Sequence, residues 1–239
     1  MNYSNINDII DIHKDQTIYI VGCGSELLNL PNNIKEKITK GISIGLNAVH
    51  LFLDKMTYHA SGHPFHYALN CKYGNVSSCR FYQGHDIGYD YARNKSLRYH
   101  GSPQSCVHSP EFKHQISFTA TNLASLMGCN NIIFVGISMK NHQHYYDLVD
   151  GMKKNMDKQA QDILDNTNNN ILLEDGKQFI STLHQKRNAD FVDHYGRFLG
   201  EYGKLFKQMQ DNGIYPHTYN QNSIIAEAGA KIISYEESI

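Results

Sequence analysis

Short apolar runs alternate with amphipathic stretches along this chain. Runs of aliphatic and β-branched residues predict buried strands at 17–21, 42–46 and 131–136, because strands covered on both faces are apolar throughout. Helical periodicity is clearest over 119–127 and 191–209. This alternation predicts a Rossmann-like α/β fold, with a mostly parallel sheet and helices on both of its faces.

Weaker patterns complete the prediction of one α/β domain over residues 1–239. Further short strands are predicted at 57–60, 79–82, 215–219 and 232–235. Residues 83–115 carry several glycines and prolines and predict a lid-like irregular region near the ligand. Residues 152–189 are polar and rich in asparagine, which predicts a weakly helical, exposed insertion.

Composition limits the function classes. Lys and Arg number 22 against 23 Asp and Glu, so the chain lacks the basic field that nucleic-acid binding needs. No apolar run reaches membrane-spanning length, and the amino terminus lacks the order of a signal peptide. We therefore expect a cytoplasmic protein with no membrane span. The five cysteines lack C-x-x-C spacing, which favours reduced thiols.

Glycine and small polar residues follow four of the predicted strands. They are Gly22, Cys23, Gly24 and Ser25 after the first strand, Asn47 after the second, Gly136 and Ser138 after the strand at 131–136, and Asn220 and Asn222 after the strand at 215–219. The carboxyl ends of parallel strands meet at one edge of a sheet, so we expect these residues to line a crevice. A Gly-x-Gly turn lets backbone amides approach a phosphate. The pattern predicts a nucleotide-like ligand, although Asn and Ser at strand ends also build turns and helix caps.

The order of these motifs resembles a known family. The motifs are Val21-Gly-Cys-Gly-Ser25, Ile44-Gly-Leu-Asn47, Leu126-Met-Gly-Cys-Asn-Asn-Ile-Ile-Phe-Val-Gly136-Ile-Ser138, then His194 and Tyr219-Asn-Gln-Asn-Ser223. Together they are similar to those of bacterial lipooligosaccharide sialyltransferases and their relatives, the motility-associated glycosyltransferase and pterin diphosphokinase-like proteins. The resemblance implies a Rossmann-like glycosyltransferase that holds an activated nucleotide sugar, often CMP-linked, at the first glycine loop and Asn47.

The same resemblance implies roles for three side chains. In the sialyltransferases a late histidine is the general base and a pair of tyrosines assists the departing phosphate. His194 matches the histidine, and Tyr145 and Tyr146 are candidates for the tyrosines. Inverting displacement needs a base that works near neutral pH and donors for the leaving phosphate. We therefore expect a metal-independent transferase that needs no cofactor and uses a nucleotide-sugar donor with an unidentified acceptor.

Two other functions stay open. One is a metal-dependent hydrolase, because imidazole and carboxylate groups bind zinc, manganese or iron. Its ligands would be His142, His144 and Asp147, joined by His59, His63 and His66 if the fold brings them together. The other is a nucleotide-binding protein without catalysis. The sequence leaves the oligomeric state open, a homo-oligomer included.

Overall fold

A computed structural model describes residues 6–82, 115–138, 144–184 and 192–237 of the chain. The expected lid over 83–115 lies outside these ranges except for its last residue, and His142 lies outside them as well. For His194 the description covers the backbone alone. Within the described ranges, no helix combines the length and the apolar character needed to cross a membrane.

Within the described ranges, seven strands form one sheet in which every neighbouring pair is parallel. They are β1 (Thr17–Val21), β2 (Ile42–Leu46), β3 (Met56–Ser61), β4 (Val76–Tyr82), β5 (Asn131–Val135), β6 (Tyr215–Thr218) and β7 (Lys231–Ile232). Their order is β4-β3-β2-β1-β5-β6-β7. Strands β2, β3 and β4 follow one another on one side of β1, and β5 pairs with the other side of β1. The predicted α/β class is confirmed, and the topological switch point lies between β1 and β5.

Helices cover both faces of this sheet. They are α1 (Asn32–Lys40), α2 (Pro64–Tyr73), α3 (Ile116–Leu126), α4 (Tyr145–Leu148), α5 (Met152–Asp165), α6 (Asn170–His184), α7 (Val192–Asp211) and α8 (Ile224–Glu227). Short 3-10 helices occupy Ile6–Ile9, Ser25–Asn29 and Val49–Leu51.

The apolar core has one layer on each face, because neighbouring residues of a strand point to opposite sides. Tyr19 and Val21 of β1 pack with α1, α2, α5 and α6, whereas Ile18 and Ile20 pack with α3, α7 and α8. These four side chains of β1 are buried. This two-sided burial explains why the strand has a continuous apolar sequence.

The segment predicted as a weakly helical, exposed insertion consists largely of two full helices. Helix α5 buries Met156, Ala160 and Ile163 in the core layer that also holds α2, and helix α6 buries Leu172 and Leu183 in the same layer. In the asparagine run, Asn166 is the C-cap residue that follows α5, and Asn170 is the first residue of α6. The polar composition therefore marks the turn between two packed helices.

The four cysteines in the described ranges, Cys23, Cys71, Cys79 and Cys129, form no disulfide with one another. Burial raises the pKa of Cys71, Cys79 and Cys129 to about 12. These three thiols are therefore protonated at neutral pH and serve as small apolar core residues.

Candidate functional site

Three strand ends open into one cavity of about 470 Å³. Its base is formed by residues 22–24 after β1, 46–48 at the end of β2 and 136–138 after β5. The first residues of α2 and α3, the start of α4, and one side each of α6 and α7 form the rest of its described wall. The volume falls within the roughly 300–1,000 Å³ of small-molecule sites. The cavity therefore lies where a doubly wound sheet places its ligand.

The two glycine-containing strand ends pack directly against each other. The N–H of Gly22 donates to the carbonyl of Val135 at 2.8 Å, and the N–H of Gly24 donates to that of Gly136, also at 2.8 Å. Both amides thus continue the pairing of β1 with β5 beyond the strands. The N–H groups of Gly22 and Gly24 are therefore already used within the protein, and phosphate binding by the rest of the turn stays a prediction.

The same contact explains why glycine is required at these positions. Gly136 has a φ of +70°, and a Cβ added there would lie 2.7 Å from the carbonyl oxygen of Gly22. A Cβ on Gly24 would lie 2.8 Å from the carbonyl oxygen of Gly136 and would also meet the carboxylate of Glu26. A side chain at either position would collide with the protein's own backbone before it reached a ligand.

Asn47 presents its side chain at the cavity from a constrained backbone. Its φ is +49°, its N–H donates to the carbonyl of Ala60 at 3.0 Å, and its own carbonyl accepts from Nε2 of His59 at 2.8 Å. Burial lowers the pKa of His59 to about 3, so this imidazole is neutral and carries its proton on Nε2. Within the described residues, Oδ1 of Asn47 is shielded from solvent and has no hydrogen-bond partner. The predicted residue thus lies at the cavity and carries a buried side-chain oxygen without a partner in the described ranges.

Ser138 also lies at the cavity, and Glu26 lies close behind it. Burial raises the pKa of Glu26, although hydrogen bonds that include those to Ser138 and Asn220 act in the opposite direction. Through these contacts Glu26 joins the ends of β1, β5 and β6.

The residues after β6 are used for a turn. Oδ1 of Asn220 accepts the N–H of Asn222 at 2.9 Å, and Oγ of Ser223 accepts the N–H of Ala226 at 3.1 Å to cap α8. Asn220 and Asn222 lie outside the described lining of the cavity. For these two residues, local turn chemistry accounts for the sequence pattern.

The tyrosine pair divides between two roles. Tyr145 is completely buried, its hydroxyl donates to the carbonyl of Ala48 at 2.7 Å, and its N–H donates to the carbonyl of Cys23 at 3.0 Å. Tyr145 therefore ties the end of β1 to the end of β2. Tyr146 and His144 line the cavity, with ring centroids 4.9 Å apart. Of the pair, Tyr146 is the one placed to touch a ligand.

The described members of the proposed metal-ligand set do not form a metal site. Among the described residues, no three His, Cys, Asp or Glu side chains are grouped so as to hold a metal ion. Oδ2 of Asp147 accepts the N–H of His144 at 3.0 Å and so caps α4. His59 is buried behind Asn47, whereas His63 and His66 line the cavity.

A histidine–aspartate pair lies on the cavity wall between α2 and α6. Nδ1 of His63 is 3.5 Å from Oδ1 of Asp175, and Oδ2 of Asp175 accepts the N–H of Phe65 at 2.8 Å. The hydrogen bond to Asp175 raises the pKa of His63, against the effect of burial. Burial acts to raise the pKa of Asp175, but the hydrogen bonds from His63 and Phe65 outweigh it and the pKa is lowered.

Sequence reasoning considered His63 only as a metal ligand and missed Asp175. The signal was the spacing of Leu172, Gly176, Phe179 and Leu183, which places them along one stripe of a helix. Asp175 adjoins that stripe, and Phe179 also lines the cavity. Because the preceding asparagines make the composition of the whole segment polar, this apolar stripe was not identified from the sequence.

Comparison with known proteins adds no family to this picture. Neither the protein-family models nor the curated proteins contain a match to the chain. The likeness to sialyltransferases consequently rests on the short motifs alone.

Proposed function

We propose that this protein is an inverting glycosyltransferase that moves a sugar from a nucleotide-sugar donor to a hydroxyl acceptor without a metal ion. The observation that carries the proposal is the shared cavity at the ends of β1, β2 and β5. A nucleotide is the ligand class that doubly wound sheets bind at such a switch point. The motif resemblance favours a CMP-linked donor.

Side chains around the cavity supply the chemistry this reaction needs. As the bond from the anomeric carbon to the phosphate breaks, negative charge grows on the nucleotide, and hydrogen-bond donors that are already in place stabilise it. His144 and Tyr146 are side chains of this kind in the lining, and Asn47 offers an amide to the base or ribose. His194, the base that the resemblance implies, belongs to the first turn of α7.

The proposal is tested by thermal shift and calorimetry with CMP and UDP, each in EDTA and with Mg²⁺ or Mn²⁺. We expect CMP to stabilise the protein in EDTA, by about 2.7 kcal/mol when its concentration is 100 times Kd. The matched variant Asn47→Asp keeps a residue type that tolerates positive φ but adds a negative charge at the cavity, so it should lose most of the shift.

The other outcomes separate the alternatives. Stabilisation by metal alone would favour the hydrolase, and nucleotide binding without release of nucleotide from any nucleotide sugar would favour a non-catalytic binding protein. No shift with any nucleotide would contradict the proposal.

A further inference from the structure

The first turn of α2 is held in place from two directions at the cavity wall. Oγ of Ser61 donates to the carbonyl of His63 at 3.0 Å. From α6, the carboxylate of Asp175 accepts the N–H of Phe65 and faces Nδ1 of His63. The backbone around His63 is therefore held by neighbours on separate elements, and its ring faces the carboxylate of Asp175.

This contact sets which ring nitrogen of His63 is available. Because Nδ1 of His63 faces the Asp175 carboxylate at 3.5 Å, a neutral imidazole favours the proton on Nδ1 and the lone pair on Nε2. The His63 side chain is 64% exposed, whereas that of Asp175 is 18% exposed. The pair thus combines an accessible nitrogen base with a shielded carboxylate that orients it.

We propose that His63, oriented by Asp175, is the general base that activates the acceptor hydroxyl. This inference rests on the proposed glycosyl transfer. The acceptor oxygen forms a bond to the anomeric carbon while its proton moves to Nε2 of His63. The bond from that carbon to the nucleotide phosphate breaks, and its electron pair leaves with the phosphate. His63 then releases the proton to water.

The surroundings of His63 suit this role. Among the described residues, the titratable groups that face it are Asp175 on α6 and His66 on α2, whose ring centroid lies 5.9 Å away. The carboxylate raises the pKa of His63 from its usual value of 6.5. A raised pKa makes the neutral imidazole a stronger acceptor for the proton of a hydroxyl group. The assignment differs from the one the resemblance implies, which places the base at His194 on α7.

The experiment measures nucleotide release from CMP- and UDP-linked sugars by the full chain, with water as acceptor. We expect His63→Asn to lower kcat by roughly 10²–10⁴-fold while the donor KM stays within about threefold. Asparagine is a favoured residue at a helix N-cap, so this variant keeps α2. The control is His13→Asn, since His13 bonds to Tyr58 and lies outside the described cavity lining. It should leave kcat unchanged.

A second variant tests whether Asp175 acts through His63. Asp175→Asn retains an oxygen for the N–H of Phe65 but removes the charge beside His63. We expect kcat to fall about tenfold and the acidic limb of its pH profile to move to lower pH, because His63 loses the partner that raises its pKa. A residue with only a structural role would leave the position of that limb unchanged.

The outcomes separate this inference from the proposed function. Full turnover by His63→Asn, with a large loss in His194→Asn, would overturn the inference and leave the transferase intact. If the unmodified protein releases no nucleotide from any donor and binds none, the proposed function fails and the inference fails with it. Loss of turnover in His63→Asn with unchanged nucleotide binding supports both.

Discussion

The cavity has two contrasting sides. At the ends of β1 and β5, glycines bring two backbones into contact, and the amides of Gly22 and Gly24 are used up in that contact. On the wall formed by α2 and α6, the contacts are made by side chains, and the described titratable pair His63 and Asp175 lies there. The glycine pattern thus marks the base of the cavity, whereas the helices provide its described titratable pair. A motif search directed at glycines finds the first side and misses the second.

The largest expected effect tests the tightness of the glycine contact. Gly136→Ala puts a Cβ at a φ of +70° and 2.7 Å from the carbonyl oxygen of Gly22. We expect a loss of roughly 3 kcal/mol or more in the free energy of unfolding, measured by urea denaturation, because backbone strain and collision add.

Gly151→Ala is the matched control for this effect. Gly151 also has a positive φ, +89°, but a Cβ there would meet nothing within 4 Å. The control should cost about 1–2 kcal/mol, the price of the left-handed conformation alone. Equal losses in the two variants would show that the contact between β1 and β5 adds no constraint.

The tyrosine pair gives the next prediction. Tyr146→Phe removes a hydroxyl at the cavity, and in the proposed transfer we expect kcat to fall by roughly 10²–10³-fold, as when a donor to developing negative charge is removed. Tyr145→Phe instead leaves the buried carbonyl of Ala48 without its donor and should cost about 1–3 kcal/mol of stability. Steady-state kinetics and urea denaturation on both variants check this division. A larger loss of kcat per folded molecule in Tyr145→Phe would reverse the assignment.

Much of the sheet could be predicted from the sequence, because a strand buried on both faces is apolar at every position. The bounds 17–21 and 42–46 coincide with β1 and β2, whereas the last strand, β7, is limited to Lys231 and Ile232. Three of the four predicted strand ends meet at the cavity, since parallel topology alone brings them together.

The remaining part of the site depends on contacts between distant segments. The Asp175 carboxylate bonds to the N–H of Phe65, 110 residues earlier in the chain. Nothing local to Asp175 indicates that partner, because the pairing follows from how α6 packs on α2. In the turn after β6, by contrast, Oδ1 of Asn220 accepts the N–H of Asn222 two residues later. A rule about neighbouring residues is sufficient to predict that contact.

A smaller effect tests how closely α6 must approach α2. Gly176 lies within α6, and a Cβ there would lie 2.7 Å from Cδ2 of Phe65. Gly176→Ala should improve helix propensity by about 1 kcal/mol but cost about 1–3 kcal/mol through overpacking, for a net loss of roughly 1 kcal/mol. Gly200→Ala in α7 has open space around the new Cβ and should stabilise the protein by about 0.5–1 kcal/mol. Urea denaturation should therefore show a lower free energy of unfolding for Gly176→Ala and a higher one for Gly200→Ala. Stabilisation by both substitutions would show that the space between α6 and α2 accommodates a methyl group.

The smallest effect is the pH dependence of the His63–Asp175 pair. Because the folded protein raises the pKa of His63, it binds more protons than the unfolded chain, and the stabilisation is lost as pH rises from 6.5 through the folded pKa. The lowered pKa of Asp175 removes the stabilisation again as pH falls below 3.8. The stability that His63→Asn removes should thus be larger at about pH 5.5 than at about pH 8.5. The difference should stay below about 0.5 kcal/mol, since solvent screens an exposed pair.

For His13, the dependence of stability on pH should have the opposite sign. Burial lowers the pKa of His13, so the unfolded chain binds more protons and the unmodified protein gains stability as pH rises through 6.5. The loss caused by His13→Asn should accordingly grow with pH, on top of a constant cost for the hydrogen bond to Tyr58. Urea denaturation of the three proteins across pH 5.5–8.5 (about three units) compares the two slopes directly. Parallel slopes for the two histidine variants would mean that Asp175 does not favour the protonated form of His63, and the cavity wall would then lack the electrostatic pairing that distinguishes it from the glycine side.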